Sequence, residues 1–314
     1  MEEHMAKATK RAWKQKQILM GQKPPKRMVP YALTLFLLLV FTGCGQKSTI
    51  PHPVIAMPGE EITAAVSLSH AELDATAETA AVYRMIVPTK AELEMQIASI
   101  VSLEEAAETW LAGDDRYYSF DDGQMVTVNS AIGFWSYTRE LDFSQSDDLP
   151  DDDTAKELAK AFILENKLLD EVEPDSLIVQ DTTTGDKLHG TEQVLQKTVT
   201  YLPDLDDMPV YGMYRISVTI GSRGEIVGVR KQANPAEYVA DIPVKTEEEI
   251  RTAVSNQDYS LNPGENPISG TFAASRGYGA YYCDANSAYL LPVYVIVGGE
   301  GDSAFDLIMD YQKS

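Results

Sequence analysis

The sequence predicts an α+β protein: small antiparallel sheets, each with a helix packed on one face, arranged as about three helix-then-strands units. Three observations carry that prediction. Three Thr-x-x-Glu boxes, Thr89 with Glu92, Thr154 with Glu157 and Thr246 with Glu249, each open a helical apolar stripe. Runs that alternate apolar and polar residues follow one another with no helix between them, as antiparallel strands do. The 314 residues are 44% hydrophobic and 24% charged, which is globular composition with enough chain for a sizeable core.

In chain order, residues 1–30 hold eight basic side chains and two acidic ones, and Tyr31–Phe41 is an eleven-residue apolar run closed by Thr42 and Gly43. A basic segment, a short apolar core and small residues form a secretory signal, and the run is too short to span a bilayer. Initiation at Met1, Met20 or Met28 is compatible with that pattern. Phe41-Thr42-Gly43-Cys44 resembles the lipobox of bacterial lipoproteins. That resemblance implies cleavage before Cys44, fatty acylation (palmitate-type chains) of its thiol, and a protein anchored to the extracytoplasmic face of the cell membrane. Two or three acyl chains anchor stably where one is marginal. Without residues 1–43 the chain keeps 18 basic against 46 acidic side chains, a net of −28. Such a charge excludes nucleic acid as a partner, because a polyanion needs clustered Lys and Arg.

Residues 44–62 carry Gly45, Pro51, Pro53, Pro58 and Gly59 with little periodicity, and read as a flexible tether. The first unit then spans 63–145, with a helix over 89–100, apolar positions Leu93 and Ile97, and strands near 115–120, 124–129 and 132–139. The second unit spans 146–240. Its helix follows Thr154 with Leu158 and Phe162 on one face. Val194–Tyr201 places Leu195, Val199 and Tyr201 on one side. Val210–Ile220 reads as one strand with Tyr214, Ile216, Val218 and Ile220 inward and Arg215, Ser217 and Thr219 outward. A turn at 221–224 and a return over 226–229 complete a hairpin. The third unit spans 241–314, with Ile250 and Val254 on its helix, a strand over 288–297, and Phe305, Leu307, Met309 and Tyr311 alternating in the closing strand.

Met208-Pro-Val-Tyr-Gly212 with the strand to Ile220, the Gly224 turn, the return strand and Pro243-Val-Lys-Thr-Glu-Glu-Glu249 resembles PepSY-type domains. It is similar also to the extracytoplasmic YycH/YycI-type regulators, as is Leu291-Pro-Val-Tyr-Val-Ile-Val297. The resemblance covers roughly residues 150–312 and implies a partner such as a sensor-kinase ectodomain or a secreted peptidase. Those regulators usually carry a transmembrane anchor in place of a lipid.

Catalytic signatures are sparse. His52, His70 and His189 lack metal-ligand spacing, and no G-x-S-x-G or S-x-x-K motif or phosphate loop occurs after Cys44. No cofactor, metal or catalytic residue is assigned. The acidic pairs Asp114-Asp115 and Asp121-Asp122 and the trio Asp204, Asp206 and Asp207 read as solvated loop charge. The run 146–153 before Thr154 favours a helix dipole, with calcium as the sharper alternative. Cys283 reads as a small buried hydrophobe. Ser275–Tyr282 reads as a strand with half-buried tyrosines, with a recognition surface as the alternative. Trp135, Tyr137 and Phe134 read as core. The functional expectation is a non-catalytic surface lipoprotein that binds an envelope protein. The alternative is an envelope carbohydrate-active enzyme using a carboxylate pair, and a solute-binding lipoprotein ranks third.

Overall fold

The computed structural model describes residues 50–55, 65–140, 148–185, 193–263, 271–299 and 305–313; the signal, Cys44 and His189 lie outside them. Residues 50–314 form one compact unit. It is α+β, with three α-helices and two mostly antiparallel sheets among the described residues. Helix α1 is Lys90–Ala98, α2 is Asp152–Glu165 and α3 is Glu247–Ser255.

An eight-stranded sheet is a continuous antiparallel ladder. Its strands in chain order are β4 (Glu108–Ala112), β5 (Asp115–Ser119), β6 (Met125–Asn129), β7 (Phe134–Thr138), β8 (Leu177–Thr184), β9 (Gln193–Tyr201), β11 (Ile216–Ile220) and β12 (Ile226–Lys231). Their spatial order is β4-β5-β6-β7-β12-β11-β9-β8. The expected boundary at 145/146 is therefore not a boundary in the sheet. Tyr137 of β7 sits opposite Val229 of β12, which joins strands from both expected units.

The nine-stranded sheet is built around β15 (Thr271–Cys283) and β16 (Tyr289–Gly298), with β17 (Phe305–Asp310) and β14 (Ser260–Pro263) beyond β16. Three short strands run parallel to β15: β1 (Ala65–Ser67), β2 (Glu72–Leu73) and β10 (Val210–Gly212). β3 (Thr79–Met85) pairs with β13 (Ala236–Pro243) and touches β16 at Tyr289 and Leu290.

Two of the three capping boxes form. Thr89 and Thr246 are N-caps whose hydroxyls accept from the N–H of Glu92 and Glu249, while those carboxylates accept from the cap N–H at 2.7 and 2.8 Å. These hydrogen bonds hold both carboxyls below their usual range. The third box does not form. α2 starts earlier, at Asp151, whose carboxylate accepts from the N–H of Thr154 at 2.8 Å. Aspartate is the better cap and is placed to cap one turn earlier. The buried stripe rotates with it, to Ala155, Ala159 and Ile163, and Leu158 and Phe162 flank it.

α1 and α2 cover one face of the eight-stranded sheet. Their Leu93, Ile97, Ala159 and Ile163 share a core with Val126, Trp135, Val199, Ile216 and Val218, and with Tyr281, Cys283 and Leu290 of the other sheet. α3 packs Ile250, Ala253 and Val254 on the nine-stranded sheet against Tyr294, Ile296, Leu307 and Met309. Ile308 is buried too, on the opposite face with Val293 and Val295.

The single strand expected over Val210–Ile220 is two. Gly212 has φ +83°, and a Cβ there would lie 2.2 Å from the Cys283 carbonyl oxygen. That conformation is available to glycine and costly for other residues. It swings the chain from β10 in one sheet to β11 in the other. The described part of the expected tether, residues 50–55, is held rather than free. Gln312 Nε2 donates to the Pro51 carbonyl at 2.9 Å, Ser260 Oγ donates to that of Ile55, and His52 Nδ1 lies 2.6 Å from the Asp310 carboxylate.

Candidate functional site

The alternation of β9, β11, β12 and β7 sends apolar side chains to the helices and polar ones to the opposite face. That second face lines a groove of about 520 Å³. Register aligns its hydroxyls. Thr198 and Thr219 are directly opposed with hydroxyl oxygens 3.1 Å apart, and Thr200 and Ser217 with theirs 3.0 Å apart. Ser136, Thr138 and Thr127 continue the polar lining on β7 and β6.

Two guanidiniums join them. Arg215 precedes β11, and its Nε is buried with no hydrogen-bond partner among the described residues. Its side-chain bond is a weak one, from Nη2 to the Met213 sulfur at 3.8 Å. Arg230 on β12 lies over the Phe134 ring, 5.2 Å from its centroid. Desolvation and then the nearby Arg215 charge lower the Arg230 pKa. Among the described residues neither arginine is in an ion pair. The groove's carboxylate, Asp115, is already engaged by Asn129 Nδ2 at 2.8 Å and by the Tyr117 hydroxyl at 3.3 Å.

At one end, Trp110 of β4 stacks on Tyr117 with centroids 5.3 Å apart and planes 7° apart. β4 is the sheet's edge and all five of its residues are exposed, Trp110 at 42% and Leu111 at 64%.

The residues singled out in the sequence fall elsewhere. The described part of the acidic run serves α2: Asp151 caps it, and Asp152 meets Lys197 Nζ at 2.7 Å. Asp206 and Asp207 form a turn at φ 51° and 58°, and Asp206 accepts from the Tyr83 hydroxyl. Asp122 accepts from Gln124. Burial raises the Asp306 pKa, and the group beside it is the Tyr211 phenol. Among the described residues no cluster of three or more His, Cys, Asp and Glu is placed to hold a metal. Cys283 is fully buried, and desolvation pushes its thiol up to about 12. Trp135 and Tyr137 are core, but Phe134 faces the groove. Ser275–Tyr282 is part of β15, with Tyr281 and Tyr282 buried and the Tyr278 hydroxyl 2.7 Å from that of Tyr211.

Lys231, next to Arg230, points the other way. It is 2% exposed, 2.5 Å from Asn234 Oδ1, and desolvation lowers its pKa to about 8. Sequence reading missed Arg215 and Arg230 as site residues; the signal available was their place in the polar phase of two adjacent strands. Among the described residues no helix is long and apolar enough to cross a membrane.

No family model matches the sequence, and no curated protein matches it. The structure is similar to the Bacillus megaterium YpeB C-terminal domain at a TM-score of 0.33 and 9% identity, over 73% of this chain and 95% of that one.

Proposed function

We propose that this chain is a non-catalytic binding protein, lipid-anchored through Cys44 on the extracytoplasmic face of the membrane, which docks an envelope protein by strand addition at β4. The observation that carries the reading is the β4 edge. It is exposed along its whole length, is flanked among the described residues by β5 alone, and bears Trp110 and Leu111. Natural edges are usually blunted by Lys, Pro or bulges, and an apolar open edge is a template for an extended partner. The lipid supports it by confining the domain to a surface, which raises the effective concentration a weak interface needs. The resemblance to extracytoplasmic regulators directs the search to sensor-kinase ectodomains and secreted peptidases.

The test places a photo-crosslinking amino acid at Thr109 of the full chain in intact cells. The expected result is one dominant adduct, lost in Leu111→Lys, whose added charge protects the edge. Labelling with a fatty-acid analogue is expected in wild type and absent in Cys44→Ser. Turnover of wall polysaccharide by the purified chain, abolished by mutating one acidic pair, would replace this reading with the carbohydrate-active enzyme.

A further inference from the structure

We infer that the groove on the face of the eight-stranded sheet opposite α1 and α2 is a carboxylate subsite, in which Arg215 and Arg230 hold one acidic side chain of a peptide segment belonging to the docked partner. The inference rests on the strand-addition reading for its choice of occupant, and on the groove itself for its chemistry.

The case for an anion is that the groove holds two cationic groups unopposed by any carboxylate among the described residues. Asp115, the carboxylate in the lining, receives Asn129 and Tyr117 instead. Arg215 keeps a buried donor with no acceptor among the described residues. Buried polar groups are almost always satisfied, and an exception calls for a missing partner. Guanidinium donors form a planar fork that matches a carboxylate, and Arg230 is oriented by the Phe134 ring beneath it. A second Arg nearby works against the first until an anion neutralises both.

The case for a single carboxylate, rather than a polyphosphate or a polyanionic glycan, is electrostatic. The whole chain carries −22, and Asp115 stands within the groove. A polymer with a charge on every unit that extends beyond the groove meets the net negative charge of the chain, whereas a lone Glu or Asp held between the two arginines meets little of it. The remaining lining fits a peptide. Rows of Thr and Ser hydroxyls both donate and accept, which suits backbone amides, and Phe134 and Tyr117 offer apolar contact. The cavity of about 520 Å³ holds several residues rather than one ion. The groove also reaches the proposed interface, since Tyr117 lines it and carries Trp110 of β4 on its ring.

The experiment titrates the full chain, ¹⁵N-labelled on arginine and solubilised in non-ionic detergent, with the peptide acetyl-Gly-Phe-Glu-Thr-Gly-amide and its Gln counterpart. Inorganic phosphate and glycerol-phosphate polymer are the comparison probes. The Glu peptide is expected to shift the Arg215 and Arg230 side-chain resonances saturably, and the Gln peptide to bind roughly tenfold or more weakly. Arg215→Lys and Arg230→Lys, which keep the charge and lose the fork, should each weaken the Glu peptide by a similar factor with unfolding midpoints unchanged. Arg223→Lys, on the exposed β11–β12 turn, should bind as wild type. Equal binding of the Glu and Gln peptides would overturn the inference. Tighter binding of phosphate or its polymer would reassign the subsite to phosphate. If the β4 cross-link forms while the Glu peptide fails to shift the Arg215 and Arg230 resonances of the wild-type chain, the docking reading stands and the subsite falls. A bound Glu peptide with no cross-link at β4 leaves the subsite standing and removes the docking reading.

Discussion

Lys231→Met should make the protein more stable at neutral pH, and the gain should vanish in alkali. Lys231 is 2% exposed, and among the described residues its amine donates to the Asn234 amide oxygen at 2.5 Å and pairs with no carboxylate. Desolvation lowers its pKa from 10.5 to about 8. At about 1.4 kcal/mol per pKa unit, that depression corresponds to roughly 3 kcal/mol of unfavourable charge burial at pH 7. Below about 8 both folded and unfolded states are protonated, so the whole penalty is present. Between about 8 and 10.5 the unfolded state alone holds the proton, and wild-type stability rises with pH as the penalty drains away. Methionine fills the same volume without charge but leaves Asn234 Oδ1 one donor short, which costs about 1 kcal/mol. The variant should therefore be about 1–2 kcal/mol more stable at pH 7 and near parity at pH 10. Urea unfolding followed by tryptophan fluorescence reads both values, since Trp135 is buried and pairs with Lys231 across β7 and β12. Subtracting variant from wild type cancels the many other titrations. A variant less stable than wild type at pH 7, or a difference constant from pH 7 to 10, would refute the reasoning.

Thr89→Ala and Thr246→Ala should each cost about 1 kcal/mol by loss of a capping box, whereas Thr154→Ala should change the urea midpoint little because Asp151 caps that helix. As pH falls below the ordinary carboxylate range, the lowered carboxyls of Glu92, Asp151 and Glu249 take up protons and their contribution to stability is lost, visible as reduced helical circular dichroism at pH 2–3. Gly212→Ala should destabilise by roughly 2–4 kcal/mol, since it combines a left-handed backbone with a clash against the Cys283 carbonyl. Cys283 should resist thiol reagents at pH 8 in the native protein and react on unfolding, as burial and a thiol pushed up to about 12 both oppose attack.

What was legible in the sequence was what local chemistry decides. Thr89 and Thr246 announce their helices because a hydroxyl and a carboxylate three residues apart close a bond within one turn. Strands β9, β11 and β17 are readable from their alternation, β12 from the turn before it and β16 as an apolar run, and the buried Leu195, Val199, Ile216 and Val218 follow the alternation. Asp151 was hidden by being one of several acids before Thr154, any of which suits a helix dipole. Gly212 lay within a pattern that stays apolar at every second position on both sides of the break, so only the meeting with Cys283 of β15 shows where the strand changes sheet. Strands β1, β2, β4 and β10 are short or exposed and carry no alternation. The groove was legible only in pieces. Arg215, Ser217 and Thr219 were visibly outward, but their convergence with Thr198, Thr200 and Arg230 depends on registers between strands, which periodicity does not encode.

The three parallel pairings along β15 set the order in which this protein can be completed. β1 and β2, at residues 65–73, and β10, at 210–212, find their partners only at residues 271–283, and residues 50–55 are held by side chains at 260, 310 and 312. A chain emerging from its amino end has none of these partners until almost all of it has been released. Strands β4 to β9, β11 and β12 can pair as soon as they appear, while the earliest-made strands wait unpaired for the last. Closing such long loops is slow, and open strands in the interval invite wrong pairing. Deleting only the final strands would accordingly undo structure at both ends of the molecule, and a pulse-labelled chain should show its amino-terminal strands protected from hydrogen exchange last, after the middle of the sequence.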